Sequence, residues 1–261
     1  MNLSKSILLL KELKEKNTKP KLWIRDDDFC TWTGNFYHLI KNLPPKFNIL
    51  FSAVPYRFKL SLSEKQLMST LRNNIYFCVH GYNHTNNAPN TAQISSEFPS
   101  DRTISVVKNE LEIGYNTIKS NLKERFLPIF VPPWNFIHNS YLDLLAETGY
   151  EAVSADSNGK QQTNKKLLLL NTQLDILNYQ ISYKTSNTII YSLKNISNLD
   201  NEIAQIITNW SKVGKSVPIG FLTHHTAMNK NEISIFDKVV CKLEEYFDPY
   251  DVKSQIIQNI S

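Results

Sequence analysis

Glycine is scarce in this 261-residue chain, which has only seven. That excludes a glycine-rich phosphate loop, and with it a Rossmann-type dinucleotide site. Cysteine is scarcer still: Cys30, Cys78 and Cys241 are far apart, odd in number and in no metal-ligand spacing. They read as free thiols of a reducing compartment, not as a disulfide framework. No long apolar run is present either. At the amino end Ile7 to Leu10 gives way at once to charges, too short for an export signal core or a membrane span, and suited to an amphipathic helix. There is no block of like charge, and the net charge of +5 comes from scattered lysines. This reads as a solvated surface and not a nucleic-acid footprint. The expectation is a cytoplasmic protein with no nucleic-acid partner and no membrane span. Its mildly basic surface would suit an anionic small substrate such as a nucleotide-linked sugar.

What the chain does have is alternation. Apolar runs at Leu22–Ile24, Asn48–Val54, Ile75–Val79, Phe126–Val131, Glu151–Ser154, Thr188–Leu193 and Val217–Thr223 read as strands. Helical patterns fall between them at Ser61–Leu71, Asp101–Glu124, Asn139–Thr148, Asp200–Lys212 and Ile233–Phe247, with a shorter one after Pro249. Ser61 with Glu64 forms a capping box, and Gly149 and Gly214 mark helix ends. Residues 159–187 read as an insertion of irregular strands. Strands apolar on both faces, alternating with helices, predict parallel strands covered by helices, either a barrel or an open doubly wound sheet. No linker or repeat suggests a second domain, so residues 1–261 read as one.

Parallel strands of such folds present their functional groups at their C-terminal ends. Here the first strand ends in Arg25-Asp26-Asp27-Asp28 and the third in His80-Gly81-Tyr82-Asn83-His84. The fourth ends in Val131-Pro132-Pro133-Trp134-Asn135, the fifth in Ala155-Asp156 and the last in Leu222-Thr223-His224-His225. Three adjacent aspartates also suit a turn or a cap, and HxxxH arises by chance. The ordered combination points to a site. Two imidazoles and a carboxylate suit zinc, with cobalt, nickel or manganese as alternatives. Such an ion makes a bound water acidic, a nearby carboxylate can take its proton, and an imidazole can protonate a leaving group. These are the parts for hydrolysis of an amide or ester.

The pattern resembles the polysaccharide deacetylase family, the NodB-homology carbohydrate esterases of family 4. The resemblance rests on Arg25-Asp26-Asp27-Asp28, the HxxxH of His80 and His84, Val131-Pro132-Pro133-Trp134-Asn135, and Leu222-Thr223-His224, in that order over residues 22–225. It implies an α/β fold, a distorted (β/α)7 barrel. It also implies Asp27 as base, Asp28, His80 and His84 as ligands of one divalent metal, and His224 as acid. A register slipped by one would make Asp26 the base and Asp27 the ligand. Tyr82, Pro133, Trp134, Asn135 and His225 are the expected substrate-binding residues, with Trp134 a sugar-stacking wall. Two departures stand out. Phe130 and Val131 occupy the place of the family's third-motif arginine, a charge Arg25 could supply, and Asp156 lacks the tryptophan of the fourth motif. His38 and His138 lie apart and read as ordinary histidines.

The function so implied is removal of an N-acyl group, an acetyl above all, from a sugar, nucleotide-sugar or lipid-linked glycan in cell-surface polysaccharide (O-antigen or capsule) assembly. The alternatives are a deformylase or other amide or ester hydrolase on the same site, a degenerate sugar-binding member, and a two-histidine, one-carboxylate iron oxygenase.

Overall fold

The first strand runs well beyond its apolar start. In the structure, a computed structural model that describes residues 2–89, 95–157, 161, 166–182, 188–213 and 217–260, β1 spans Lys21–Phe29 and carries the three aspartates inside it. The other strands are β2 (Ile49–Ala53), β3 (Ile75–His80), β4 (Phe126–Val131), β5 (Ala152–Val153), β6 (Leu168–Leu169), β7 (Leu174–Asp175), β8 (Leu177–Ser182), β9 (Thr188–Leu193), β10 (Ile219–Thr223) and β11 (Asp248–Pro249). The α-helices are α1 (Ser4–Glu15), α2 (Gly34–Asn42), α3 (Leu62–Ser69), α4 (Ile104–Leu122), α5 (Leu142–Thr148), α6 (Ile196–Val213), α7 (Lys230–Leu243) and α8 (Val252–Ile260).

Two compact units make up the chain. One consists of Met1–Arg25, Thr33–Asn48 and Gln173–Tyr250, the other of Asp26–Trp32, Ile49–Thr172 and Asp251–Ser261. In the second unit β2, β3, β4, β5 and β6 pair side by side, all parallel. Their inner positions are the expected apolar runs, and every residue of β2 is buried. Helix α4 buries Val107, Leu111, Ile118 and Leu122, a 3–4 spacing that gives it one apolar face. Behind the sheet, Arg125 donates to the carbonyls of Leu71, Arg72 and Ile75, which ties the entry of β3 to that of β4. Local signals act as expected: Ser61 and Glu64 close a capping box on α3, and α5 stops at Gly149, whose φ of 104° is the left-handed cap.

In the first unit β10 lies parallel to β7, and β11 lies parallel to the start of β1. Helix α1 docks on α6 through Asp200, which accepts from the backbone N–H groups of Lys5 and Ser6 and from the Ser6 hydroxyl. β8 (Leu177–Ser182) falls in the expected insertion and pairs antiparallel with β9, the strand expected at Thr188–Leu193. The expected stop at Gly214 lies outside the described residues. Helix α2 was not expected. The Thr33 hydroxyl caps it, accepting from Phe36 N–H, and it buries only Phe36, Leu39 and Ile40. None of the three cysteines forms a disulfide among the described residues, and no described helix is long and apolar enough to cross a membrane.

Candidate metal centre and catalytic groups

Parallel pairing of β2, β3 and β4 brings their C-terminal ends to one edge of the second unit, where β3 leads into His80–His84 and β4 into Pro132–Asn135. His80 is the last residue of β3. Its Nδ1 lies 3.0 Å from the carbonyl oxygen of Val131, the last residue of β4. A carbonyl can only accept, so Nδ1 carries a proton and Nε2 is the nitrogen left to face a ligand. That nitrogen is 3.3 Å from Asp28 Oδ1, and His84 Nε2 is 3.2 Å from the same oxygen. One ligand atom from each of the three residues lies within 4.8 Å of the other two.

The local backbone is strained into this arrangement. Asp28 (φ 68°), His84 (φ 60°), Trp134 (φ 55°) and Asn135 (φ 57°) account for four of the six described non-glycine residues with positive φ. Such conformations concentrate at functional sites, because only a surrounding structure that over-determines them keeps them in place. At Asp28 the left-handed residue interrupts the alternation of a strand, so neighbouring carboxylates need not point to opposite faces. Burial, then the neighbouring His80, pushes the His84 imidazole down to about 4 against the opposing pull of Asp28. His84 is therefore neutral at physiological pH, the state a metal ligand requires. With His80 tied at Nδ1, the donor set fits a divalent cation, and its histidine is oriented by a carbonyl as metal-bound histidines commonly are.

Around the three donors stand the other expected residues of this unit. Asp27 is buried, with 3% exposure, and its Oδ1 accepts the Ser52 hydroxyl at 2.6 Å from the neighbouring β2. Asp26 is fully buried. Trp134, half-buried in the turn after β4, has its ring centroid 4.6 Å from that of His84, and its chain neighbours Pro133 and Asn135 are buried and half-buried. The Tyr82 ring lies 5.9 Å from that of exposed Tyr56. Phe130 and Val131, which replace the arginine of the third motif, are fully buried.

His224 and His225, which follow β10, belong to the first unit. His224 is 9% exposed, and the rings of Tyr179 and Tyr191 each lie 6.2 Å from its own. Its Nδ1 is buried without a hydrogen-bond partner among the described residues. Close by is Asp175, whose carboxylate accepts from Leu177 N–H at 2.9 Å and from the Tyr179 hydroxyl. Burial pushes Asp175 up, and the His224 imidazole is the strongest of the groups that hold it down. Asp175 was not foreseen. The aspartate considered for such a role, Asp156, lies in the other unit, where it bridges to Thr172. His225 is fully buried, its ring edge-on to Phe36 at 5.9 Å and its carbonyl accepting from Asn35. Arg25 is fully buried as well. His38 meets Ser234, and His138 caps its own short turn by accepting from Ser140 N–H.

No family model matches the chain, and no curated protein does. Solved structures do match its fold. A Mycobacterium smegmatis protein provisionally described as a polysaccharide deacetylase superposes with a TM-score of 0.60 at 12% identity, over 93% of this chain and 91% of that one. A family 4 acetyl xylan esterase from Clostridium thermocellum, in complex with a cobalt ion, gives 0.51 at 9% identity over 91% and 90%. A family 4 pseudoenzyme from Bacillus anthracis gives 0.51 at 9% identity over 91% of this chain and 66% of its own. The fold is thus the one expected, the distorted (β/α)7 barrel of the NodB-homology carbohydrate esterases. At these identities the likeness concerns the fold; the chemistry has to come from the residues.

Proposed function

We propose that this chain is a metal-dependent hydrolase that removes an N-acyl group, an acetyl above all, from a sugar or glycan intermediate of cell-surface polysaccharide assembly. The observation that carries the reading is the convergence of Asp28 Oδ1 with the Nε2 atoms of His80 and His84, at 3.3 Å and 3.2 Å. Those three residues would hold one divalent cation, zinc or a similar ion. When bound, such an ion polarises an acyl carbonyl and makes water nucleophilic near neutral pH.

The remaining chemistry falls to the chain itself. Asp27, with one oxygen held by Ser52, is assigned as the base that takes a proton from the attacking water. His224, by the motif in which it stands, is assigned as the acid that gives a proton to the departing amine, with Asp175 and Tyr179 orienting its ring. Trp134 offers an aromatic face for a sugar ring. The acetyl xylan esterase of this fold acts, by its name, on an acetylated carbohydrate, and its structure holds a cobalt ion. The reducing-compartment reading of the cysteines supports a cytoplasmic substrate, a nucleotide-linked or lipid-linked sugar.

A second reading has one observation in its favour. Where the family's third motif has an arginine, Phe130 and Val131 are buried, and the fold also serves a pseudoenzyme. A sugar-binding protein without turnover would share the metal site. Metal content of the purified protein, together with acetate release from a panel of N-acetylated sugars and nucleotide sugars, separates the two. Stoichiometric metal with acetate release supports the hydrolase, metal without release supports the binder, and no metal removes both.

A further inference from the structure

Glu97 is fully buried, yet it belongs to none of the motifs. Its carboxylate lies under the turn that separates the two histidines. The Tyr82 N–H is 3.1 Å from each of its oxygens, and the Asn83 N–H donates to Oε1 at 2.7 Å. Gly81, with a φ of 56°, is the residue that admits the carboxylate: a Cβ there would lie 2.0 Å from Glu97 Oε2 and 2.6 Å from Cγ of Pro133. The Glu97 backbone is anchored in turn, since Asn87 Nδ2 at 2.8 Å and Arg102 Nη1 at 3.2 Å both donate to its carbonyl oxygen. Arg102 is itself fixed by a bidentate pair with Glu110, both contacts 2.7 Å.

We propose that Glu97 is the positioning residue of the metal centre, an inference that rests on the metal-site reading above. His80 ends a strand and is oriented by Val131, so its place is set by the sheet. His84 stands beyond the strand at a φ of 60°, and its direction depends on how residues 81–83 turn. Two consecutive backbone N–H groups that point at one carboxylate fix that turn. A buried carboxylate is a strong acceptor for them, because charge-assisted bonds are shorter and stronger than neutral ones. Glycine at 81 and glutamate at 97 therefore belong together: a side chain at 81 would evict the carboxylate, and a residue at 97 without acceptors would leave the turn unheld.

The test compares cobalt(II) affinity, by chelator competition, and the visible d–d spectrum of the cobalt-loaded protein for the unaltered chain, Glu97→Gln, Glu97→Asp and Ser154→Ala. Glutamine keeps the size and one acceptor oxygen but removes the charge and sets an amide N–H where Oε2 faces the Tyr82 N–H. Aspartate keeps the charge one methylene short. Ser154→Ala removes a buried hydroxyl that donates to Leu170 at 2.6 Å, away from the turn, and so reports general loosening of the unit. Expected is a cobalt affinity lowered about 10- to 100-fold in Glu97→Gln with shifted d–d bands, the range typical of groups that orient metal ligands. A smaller loss is expected in Glu97→Asp and none in Ser154→Ala. Affinity within about threefold of the unaltered chain in Glu97→Gln, or in Glu97→Asp should the glutamine variant not fold, overturns the inference while leaving the metal site standing. Absence of cobalt binding by the unaltered chain sinks the metal-site reading and this inference together.

Discussion

The Ser52 hydroxyl donates to Asp27 Oδ1 at 2.6 Å, while the next residue along the same strand, Asp28, turns its own Oδ1 to two histidines. Adjacent carboxylates thus sit in different surroundings, which suits them to different tasks. Asp27→Asn is expected to lower turnover about 100- to 10,000-fold, the span of a general base, with metal content retained. Asp28→Asn should lose metal as well as turnover. Parallel measurement of acetate release and bound metal checks this. The reverse pattern, with metal lost from Asp27→Asn and turnover alone lost from Asp26→Asn, would move the register back by one.

Removing an imidazole is the direct test of the cation itself. His84→Ala is the cleaner variant because its side chain is 22% exposed against 3% for His80, so truncation leaves less of a cavity. It should reduce bound metal to a small fraction while circular dichroism stays that of the unaltered protein. Stoichiometric metal in both His80→Ala and His84→Ala would show the site to be misassigned.

Asp175 is placed to act through His224. Asp175→Asn removes the charge that faces the imidazole but keeps a side chain able to accept from Leu177. Turnover should fall about a hundredfold, near the lower end of what an acid–base group contributes, with bound metal unchanged. Tyr179→Phe, which frees one oxygen of Asp175, should give a smaller loss of the same kind. Full activity in both variants would leave His224 without an orienting partner, and His224→Ala would then decide whether it is the acid at all.

How far these residues could be read from the sequence depended on how local their signals were. The strands showed because each buried run is continuous and apolar, and the HxxxH pair showed because it follows such a run directly. Strand β1 looked shorter than it is, since three aspartates conceal an extended segment that is buried from Leu22 to Asp27. Helix α2 was hidden for a related reason: tyrosine, histidine and asparagine dilute its periodicity, and only packing of Phe36, Leu39 and Ile40 reveals it. Glu97 and Asp175 carried no signal of their own. A glutamate that receives N–H groups 14 and 15 positions earlier, or an aspartate that feels the charge of a histidine 49 residues later, becomes visible only once the chain has folded.

Stability depends on pH through a buried carboxyl that has no part in the proposed chemistry. Asp237, on α7, is 5% exposed, and burial raises its carboxyl to about 7, with the Asn42 side chain the one neighbour that opposes the shift. The folded protein therefore holds a proton on Asp237 that the unfolded chain, titrating near 3.8, releases. Between those two values the native state binds more protons than the unfolded state, so stability falls as pH rises. The contribution is fully present below the unfolded value and lost as pH climbs through the folded one. It amounts to on the order of 1–3 kcal/mol once partial solvent access is allowed for. Asp237→Asn, which cannot ionise, should raise the unfolding midpoint at pH 8 and leave it nearly unchanged at pH 4. Thermal or urea unfolding of the two proteins across that range measures the effect, and parallel curves at both ends would show that Asp237 is ionised in the native state.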